Sequence, residues 1–361
     1  MVKLSARALA LSLCLGLAFF AGQPPVAAHG HRGPGLGKKD KKDKSGGKQE
    51  DPRDTVKRIV TEAIGGDKGV GAALIRLVFH DCWVNGCDGS VLVDTKPYGG
   101  GKTEKLAENN IGLAGFDVID KIKSQLDSPE KQLSCADIVV LAAREATYNL
   151  SRGNIDYPVN TGRTDGVVSS ASAADAVLPP STFDFEQLKA NFAAKGFDTK
   201  ELVALSGAHV VGVARESSFA DRLNDTTATP ISPDYKDALA EDVKKHPIQP
   251  NNIRDKDETF RDKAGYVVET GVDTSDGAKG VMDNTYYHAN LQNRVLFRSD
   301  WELRNDMSGQ AGNAMETFKR DAREWYTEFG KAMAKLSQLK AQGPRFENRT
   351  DCKVINTNNK Y

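Results

Sequence analysis

Apolar positions along the body of this chain recur at helical rather than strand intervals. From Arg53 to Ile64 they follow Asp51-Pro52, an acidic cap and a proline that suit a helix start. Ala72 to Phe79 is a nearly unbroken apolar run. Phe116 to Leu126 and Cys135 to Thr147 come next, the latter containing Ala-Asp-Ile-Val-Val-Leu-Ala-Ala-Arg. Phe185 to Lys195 stops at Gly196, and Lys200 to Ser206 ends beside Gly207. Asn284 to Asn293 and Glu316 to Leu339 complete the predicted helices. Alternating patterns are scarce, with short strands predicted only at Tyr157 to Asn160 and Ala264 to Val268. No internal repeat and no Pro/Gly linker divides the body, so one all-α domain with minor strands is predicted over residues 53–361.

The N-terminal region follows other rules. Lys3 and Arg7 precede an apolar run from Ala8 to Phe20, and small residues follow at Ala21, Ala27 and Ala28. This reads as an export signal over residues 1–28, the run being short for a bilayer span. No other stretch is long and apolar enough to cross a membrane. Residues 29–52 are rich in Gly, Lys and Asp without apolar periodicity, which predicts a disordered tail. Its Lys38-Lys39-Asp40-Lys41-Lys42-Asp43-Lys44 run could adhere weakly, in a salt-sensitive way, to an acidic polysaccharide of a cell wall. His29 and His31 in this tail read as solvated residues rather than metal ligands.

Composition narrows the classes further. The 361 residues carry 49 basic and 49 acidic side chains, so net charge gives no basis for a nucleic-acid partner. Without Cys14 of the signal, four cysteines remain: Cys82, Cys87, Cys135 and Cys352. An even number in an exported chain favours two disulfides, and spacing alone leaves all three pairings open. Sequons at Asn149, Asn224 and Asn348 fit a secreted glycoprotein.

The densest chemistry lies between residues 74 and 90, Leu-Ile-Arg-Leu-Val-Phe-His-Asp-Cys-Trp-Val-Asn-Gly-Cys-Asp-Gly-Ser. Arg76 and His80 stand four apart, so on a helix both project from one face. A fixed cation beside a titratable imidazole suits heterolytic chemistry on a small polar substrate: the base moves a proton while the guanidinium steadies developing charge. An oxygen-rich loop follows, between Cys82 and Cys87.

This stretch, with Leu133-Ser-Cys-Ala-Asp-Ile138, Gly162-Arg-Thr-Asp-Gly166 and Leu202-Val-Ala-Leu-Ser-Gly-Ala-His209, resembles the secreted plant (class III) haem peroxidases. Asp283-Asn-Thr-Tyr-Tyr287, Ser299-Asp300 and Phe329-Gly-Lys-Ala-Met333 extend the match in one order to about Asn356. The resemblance implies a fold of two helical lobes enclosing one haem b. His209 would bind the iron, and Asp300 would accept a hydrogen bond from that imidazole. On the opposite face His80 would move the peroxide proton, with Arg76 stabilising charge. Asn110 would hydrogen-bond His80, counting forward from Glu104; counting back from Phe116 selects Asn109 instead. The products implied are water and two one-electron-oxidised donors, typically phenols. The protein would be a monomer, extracellular or in the cell wall, with the vacuole as an alternative. The rival reading is a non-catalytic wall-binding protein on the same scaffold.

Calcium is also implied by the resemblance. Asp81, Asp88 and Ser90 would give side-chain oxygens, Val84 and Gly86 backbone carbonyls, and Glu104 a water-mediated link to the distal pocket. A second, proximal ion would rest on Val210 and Asp283. There Val210 replaces a coordinating threonine, and Ser275 and Ala278 replace two further ligands; Asp273, Thr274 or Asp276 could substitute in a rearranged loop. The partners of two family disulfides are absent together, with Pro129 and Glu216 at two of the positions, which argues for Cys82–Cys87 and Cys135–Cys352. At the donor edge Asn160 stands for a proline and Glu108 for an aromatic or small residue, so a preference for small hydrophilic phenols is expected.

Overall fold

The computed structural model describes residues 50–94, 101–126, 132–224, 228–245, 253–255 and 280–356. The expected signal, nearly all of the tail, the predicted strand at 264–268, Pro129 and the substitutes at 273–278 lie outside these residues.

Five of the described helices build the half that carries Arg76 and His80. Helix α1, Pro52–Gly66, opens on Asp51, whose side chain accepts from the Arg53 amide, and it buries Val56, Ile59, Val60 and Ile64. Its cap and first residue come from Asp51-Pro52, and Glu50 pairs with Arg58, so the ordered body starts inside what the sequence assigns to the tail. Helix α2, Lys68–Asn85, has Asp67 as its cap and buries Leu74, Leu77, Val78 and Trp83. Helix α3 spans Phe116–Gln125. Helix α4, Cys135–Leu150, is capped by Ser134 and buried on nearly all sides through Ile138, Val139, Val140, Leu141, Ala142, Ala143 and Ala146. Small residues let α2 come close to α4: a Cβ on Gly71 would lie 2.9 Å from Leu150. Helix α5, Ala171–Val177, packs against α2.

The remaining helices form the half that carries His209. Helices α6, Phe185–Ala194, and α7, Thr199–Ser206, both start with capping boxes, Asp184/Gln187 and Asp198/Glu201. A 3₁₀ turn, Gly207–Val210, presents His209 at the end of α7. Helices α8, Ala220–Asn224, and α9, Pro233–Lys245, follow, then α10, Thr285–Leu291, α11, Arg298–Glu302, α12, Gln310–Arg320, and α13, Ala322–Leu336. Two small antiparallel pairs complete the described fold. Strand β1, Asp165–Gly166, pairs with β4, Phe346–Glu347, and β2, Val213–Arg215, pairs with β3, Ile253–Asp255.

Two expectations are corrected. The helix predicted over Glu316–Leu339 is two helices, because Asp321 leaves the helical region (φ −133°, ψ 97°) and caps α13 through the Arg323 and Glu324 amides. Tyr157–Asn160 forms no strand, and no segment among the described residues pairs with it. Helices α5, α8, α9 and α11 were not predicted, three of them being too short to show a period.

The disulfides are Cys82–Cys87 and Cys135–Cys352. The second ties the start of α4 to a segment 217 residues later. Replacing Cys135 and Cys352 together by serine should lower unfolding free energy by about 2–5 kcal/mol in a denaturant titration. Loss of less than a few tenths would mean the C-terminal segment is held by packing and Arg349 alone.

Candidate active site

Helix α2 runs as one piece through Arg76 and His80, so both side chains leave the same face. Arg76 Nε donates to His80 Nε2 at 3.2 Å, and its Nη2 donates to the Asn109 carbonyl at 3.0 Å. His80 Nδ1 lies 2.5 Å from Asn110 Oδ1. Because an amide oxygen only accepts, Nδ1 carries the hydrogen and Nε2 the lone pair. Asn110 is itself fixed, since its Nδ2 donates to the Glu104 carbonyl at 2.7 Å. Of the two asparagines the sequence left open, Asn110 therefore touches the imidazole, while Asn109 offers only its carbonyl, and that to Arg76.

Burial, and then the Arg76 charge, push the His80 pKa down to about 3. Burial, reinforced by Arg215, lowers the Arg76 pKa to about 10, which still leaves it cationic at neutral pH. Arg215 packs beside Gly112, where a Cβ would lie 2.7 Å from its Nε. The outcome is a neutral base with a defined lone pair beside a guanidinium.

His209 faces the same interior from the other half, and its charge lowers the His80 pKa as a lesser cause. Its Nδ1 lies 2.7 Å from Asp300 Oδ1, so Nε2 is the ring nitrogen turned away from that carboxylate. The Tyr286 hydroxyl donates to the same Asp300 oxygen at 2.9 Å. Burial, and next the Asp300 charge, raise the Tyr286 pKa well above its usual value, so it remains a donor. Asn290 Nδ2 donates to the Asp300 backbone carbonyl at 2.6 Å. Phe297 meets the His209 ring edge-on at 5.3 Å. Tyr286 and Asn290 were missed by sequence reasoning. Tyr286 lies in a quoted block from which only Asp283 was taken, and Asn290 carried no signal.

Whether these residues fit a haem can be tested on accessibility. His209 sits between buried Gly207 and Val210, yet 41% of its side chain is accessible. Arg76, Phe79 and His80 on α2 are also only half-buried, although Leu77 and Val78 between them are fully buried. Each histidine thus presents accessible ring surface, the two are close enough for His209 to affect His80, and Phe79 and Phe297 stand edge-on to them. The donor set fits haem.

The loop after His80 holds another incomplete environment. Asp81, Asp88, Ser90 and Glu104 are all 2% exposed or less. Asp81 Oδ1, Ser90 Oγ and both Glu104 carboxylate oxygens are buried without a hydrogen-bond partner. Burial, and then the Asp88 charge, raise the Asp81 pKa to about 8; burial and Asp81 raise Glu104 well above its usual value. Bare oxygens of this kind are what a hard cation satisfies. Among the described residues no three His, Cys, Asp or Glu side chains are placed to hold a metal by themselves, so backbone carbonyls must complete any such site. The Val84 carbonyl accepts from Lys195 Nζ at 3.2 Å. Gly86 has φ +80°, and a Cβ there would lie 2.2 Å from the Lys340 carbonyl, so only glycine fits. The proximal candidates are less equipped: Val210 is buried and brings no side-chain oxygen, and Asp283 Oδ1 accepts from the Thr285 amide at 2.9 Å. Glu108 and Asn160 are both exposed.

The chain is similar in sequence to known proteins along most of its length. The family profile described as Peroxidase matches residues 53–321. Peroxidase RIP1 of Medicago truncatula is 36% identical over 306 residues, covering 83% of this chain and 86% of that protein. Peroxidase 2 of Zea mays is 36% identical over 304 residues, covering 83% and 84%. Peroxidase 1 of Zea mays is 37% identical over 312 residues, covering 83% and 79%. A helical fold with this likeness along most of its length makes the chain a haem peroxidase belonging to the plant class III family.

Proposed function

We propose that this peroxidase is an exported enzyme using haem b on His209 to reduce hydrogen peroxide at the expense of small phenolic donors. The single observation supporting the residue roles is the fixed tautomer of His80 between Asn110 and Arg76. When bound, the haem would supply a centre able to give two electrons to peroxide and to recover them one at a time from donors. His80 Nε2 would accept a proton from hydrogen peroxide, since Nδ1 is already occupied by Asn110. Arg76, now donating to the substrate instead of His80, stabilises negative charge as the O–O bond lengthens. His80 then returns the proton to the departing oxygen, which leaves as water. On the other side Asp300 draws on His209 Nδ1–H and enriches the ring in electron density, while Tyr286 limits that effect by sharing the same oxygen.

Donors then supply one electron each. Exposed Glu108 and Asn160 make the expected donor edge polar and support a preference for small hydrophilic phenols. One calcium belongs to the proposal, held by Asp81, Asp88, Ser90 and the Val84 and Gly86 carbonyls, with Glu104 linked through water. The proximal pair Val210 and Asp283 is left out, because Val210 brings no side-chain oxygen and Asp283 Oδ1 already accepts from the Thr285 amide. Export rests on residues 1–28; N-terminal sequencing of protein recovered from culture medium should find a chain starting near residue 29.

Purified protein should show a Soret band that shifts on adding peroxide, and a colourless folded preparation would end the proposal. His80→Leu should slow peroxide consumption about 10²- to 10⁴-fold, as for a lost general acid–base. Asn110→Leu should slow it roughly 10- to 100-fold with the Soret band intact. Because the His80 pKa is lowered to about 3, the peroxide rate constant should be level from neutral pH to about 4 and fall only as pH approaches 3. A fall centred near pH 6 would place the imidazole in a solvated setting.

Calcium removal has its own signature. A carboxyl whose folded pKa is raised binds more protons folded than unfolded, so its burial costs stability as pH rises. In chelator, the melting temperature should therefore decline between about pH 4 and 8, the span between the ordinary Asp81 value of 3.8 and its folded value. Added Ca²⁺ should restore most at the upper end, where protons compete least. Equal rescue at both ends would argue against Asp81 as a ligand.

A further inference from the structure

A line of oxidisable rings leads away from His209 toward the surface. Tyr286 lies 6.4 Å from the His209 ring, Tyr287 5.1 Å from Tyr286, Trp325 6.0 Å from Tyr287, and Tyr326 5.4 Å from Trp325, centroid to centroid. The first three aromatic side chains are fully buried, as is Phe329 against Trp325, while Tyr326 is half-buried. Tyr326 forms part of the wall of an open groove of about 740 Å³, with Tyr157, Pro158, Ala334, Leu339 and Lys331. Electron tunnelling weakens exponentially with the gap, so successive ring contacts outpace one long jump through saturated packing.

The proton positions suit such a line. Tyr286 donates to Asp300, a carboxylate able to hold its proton. Tyr287 O–H and Trp325 Nε1–H both donate to the Ala204 carbonyl, at 3.3 and 3.1 Å. A carbonyl is too weak a base to take either proton. Trp325 can lose an electron and keep its proton, while Tyr287 serves as a bridge. The groove exceeds the size of a single phenol ring, and its aromatic and aliphatic walls with Lys331 at the rim suit an oxygen-substituted aromatic.

We propose that the groove beside Tyr326 is a second donor site, for phenols carried on scaffolds too bulky to approach the haem edge, connected to the haem through Trp325, Tyr287 and Tyr286. This rests on the haem-peroxidase reading above. One electron passes from the bound phenol through Tyr326 and inward, and the phenol releases its proton to water. Two such transfers match one peroxide, H₂O₂ + 2 ArOH → 2 ArO• + 2 H₂O, with peroxide as the oxidant.

The test uses the haem-loaded full chain with two donors, free guaiacol and the same guaiacyl group tethered to a soluble dextran. Wild-type protein given peroxide and a nitroso spin trap without donor should yield an adduct on Tyr326 in peptide mass spectra. Tyr326→Phe should remove that adduct and cut turnover of the dextran-bound phenol by about tenfold or more, leaving guaiacol turnover unchanged. Absence of an adduct on Tyr326, or equal turnover of the tethered phenol by both proteins, overturns the second site. Failure of wild-type protein to oxidise guaiacol at all is a different result, which overturns the peroxidase reading itself.

Discussion

Each working histidine is held through its Nδ1, and the site depends on that constraint. An imidazole has two nearly equivalent nitrogens, and only a partner of fixed polarity makes them distinct. For His80 the partner is an amide oxygen, which cannot donate, so Nε2 is left basic. For His209 it is a carboxylate, which pulls on the Nδ1 hydrogen and makes Nε2 a stronger ligand. The same atom is blocked in both rings, yet neutral and anionic partners send them to different work. Swapping the partners would yield a base too easily protonated and a ligand too weakly polarised.

The partners are themselves held, and this connects the distal pocket to the oxygen-rich loop. Asn110 is oriented by the Glu104 carbonyl, while the Glu104 side chain is buried among the unsatisfied oxygens of Asp81 and Ser90. Asp81 is the residue after His80. The proposed cation, drawing these oxygens together, would fix both the backbone next to His80 and, through Glu104, the asparagine bonded to it. Three carboxyls whose pKa values are all raised by burial, with Asp88 adding to Asp81 and both adding to Glu104, are a poor way to stabilise an empty loop. They make sense as a ligand environment whose cost is offset on binding. The Cys82–Cys87 bridge, Gly86 against Lys340, and Arg349 donating to the Gly89 carbonyl at 2.6 Å keep the loop from relaxing.

The sequence was most legible where chemistry and local pattern coincide. Arg76, His80 and His209 lie in dense motifs, and helices α1 to α4, α6 and α7 are long enough to display a period or begin with clear caps. Asp321 hid because its neighbours on either side continue one helical stripe, and only its backbone angles break it. Tyr157–Asn160 alternates for a different reason: Tyr157 and Val159 are buried in a loop that pairs with no strand among the described residues. The choice between Asn109 and Asn110 depended on a single residue of loop length, which spacing does not settle and one hydrogen bond does. Asn290 was invisible because its value comes from facing Asp300 across ten positions, a relation set by how α10 and α11 meet.

The end of α7 shows how proximal packing and polarity are solved together. A helix C-terminus leaves carbonyls without intrahelical partners, and here they point into the core, where an unmet acceptor is costly. Tyr287 donates to the Val203 carbonyl at 2.9 Å, and Trp325 to that of Ala204 at 3.1 Å. Each large ring therefore fills core volume and satisfies the helix end that presents His209. Gly207 makes this approach feasible, since a Cβ there would lie 2.6 Å from both the Trp325 nitrogen and the Tyr287 oxygen. A smaller apolar residue in either ring's place would leave a cavity and a bare carbonyl two turns of chain from the ligand. The aromatic line behind His209 is thus required by packing whatever electrons it carries, which is why a tyrosine-to-phenylalanine change at its half-buried outer end separates conduction from support.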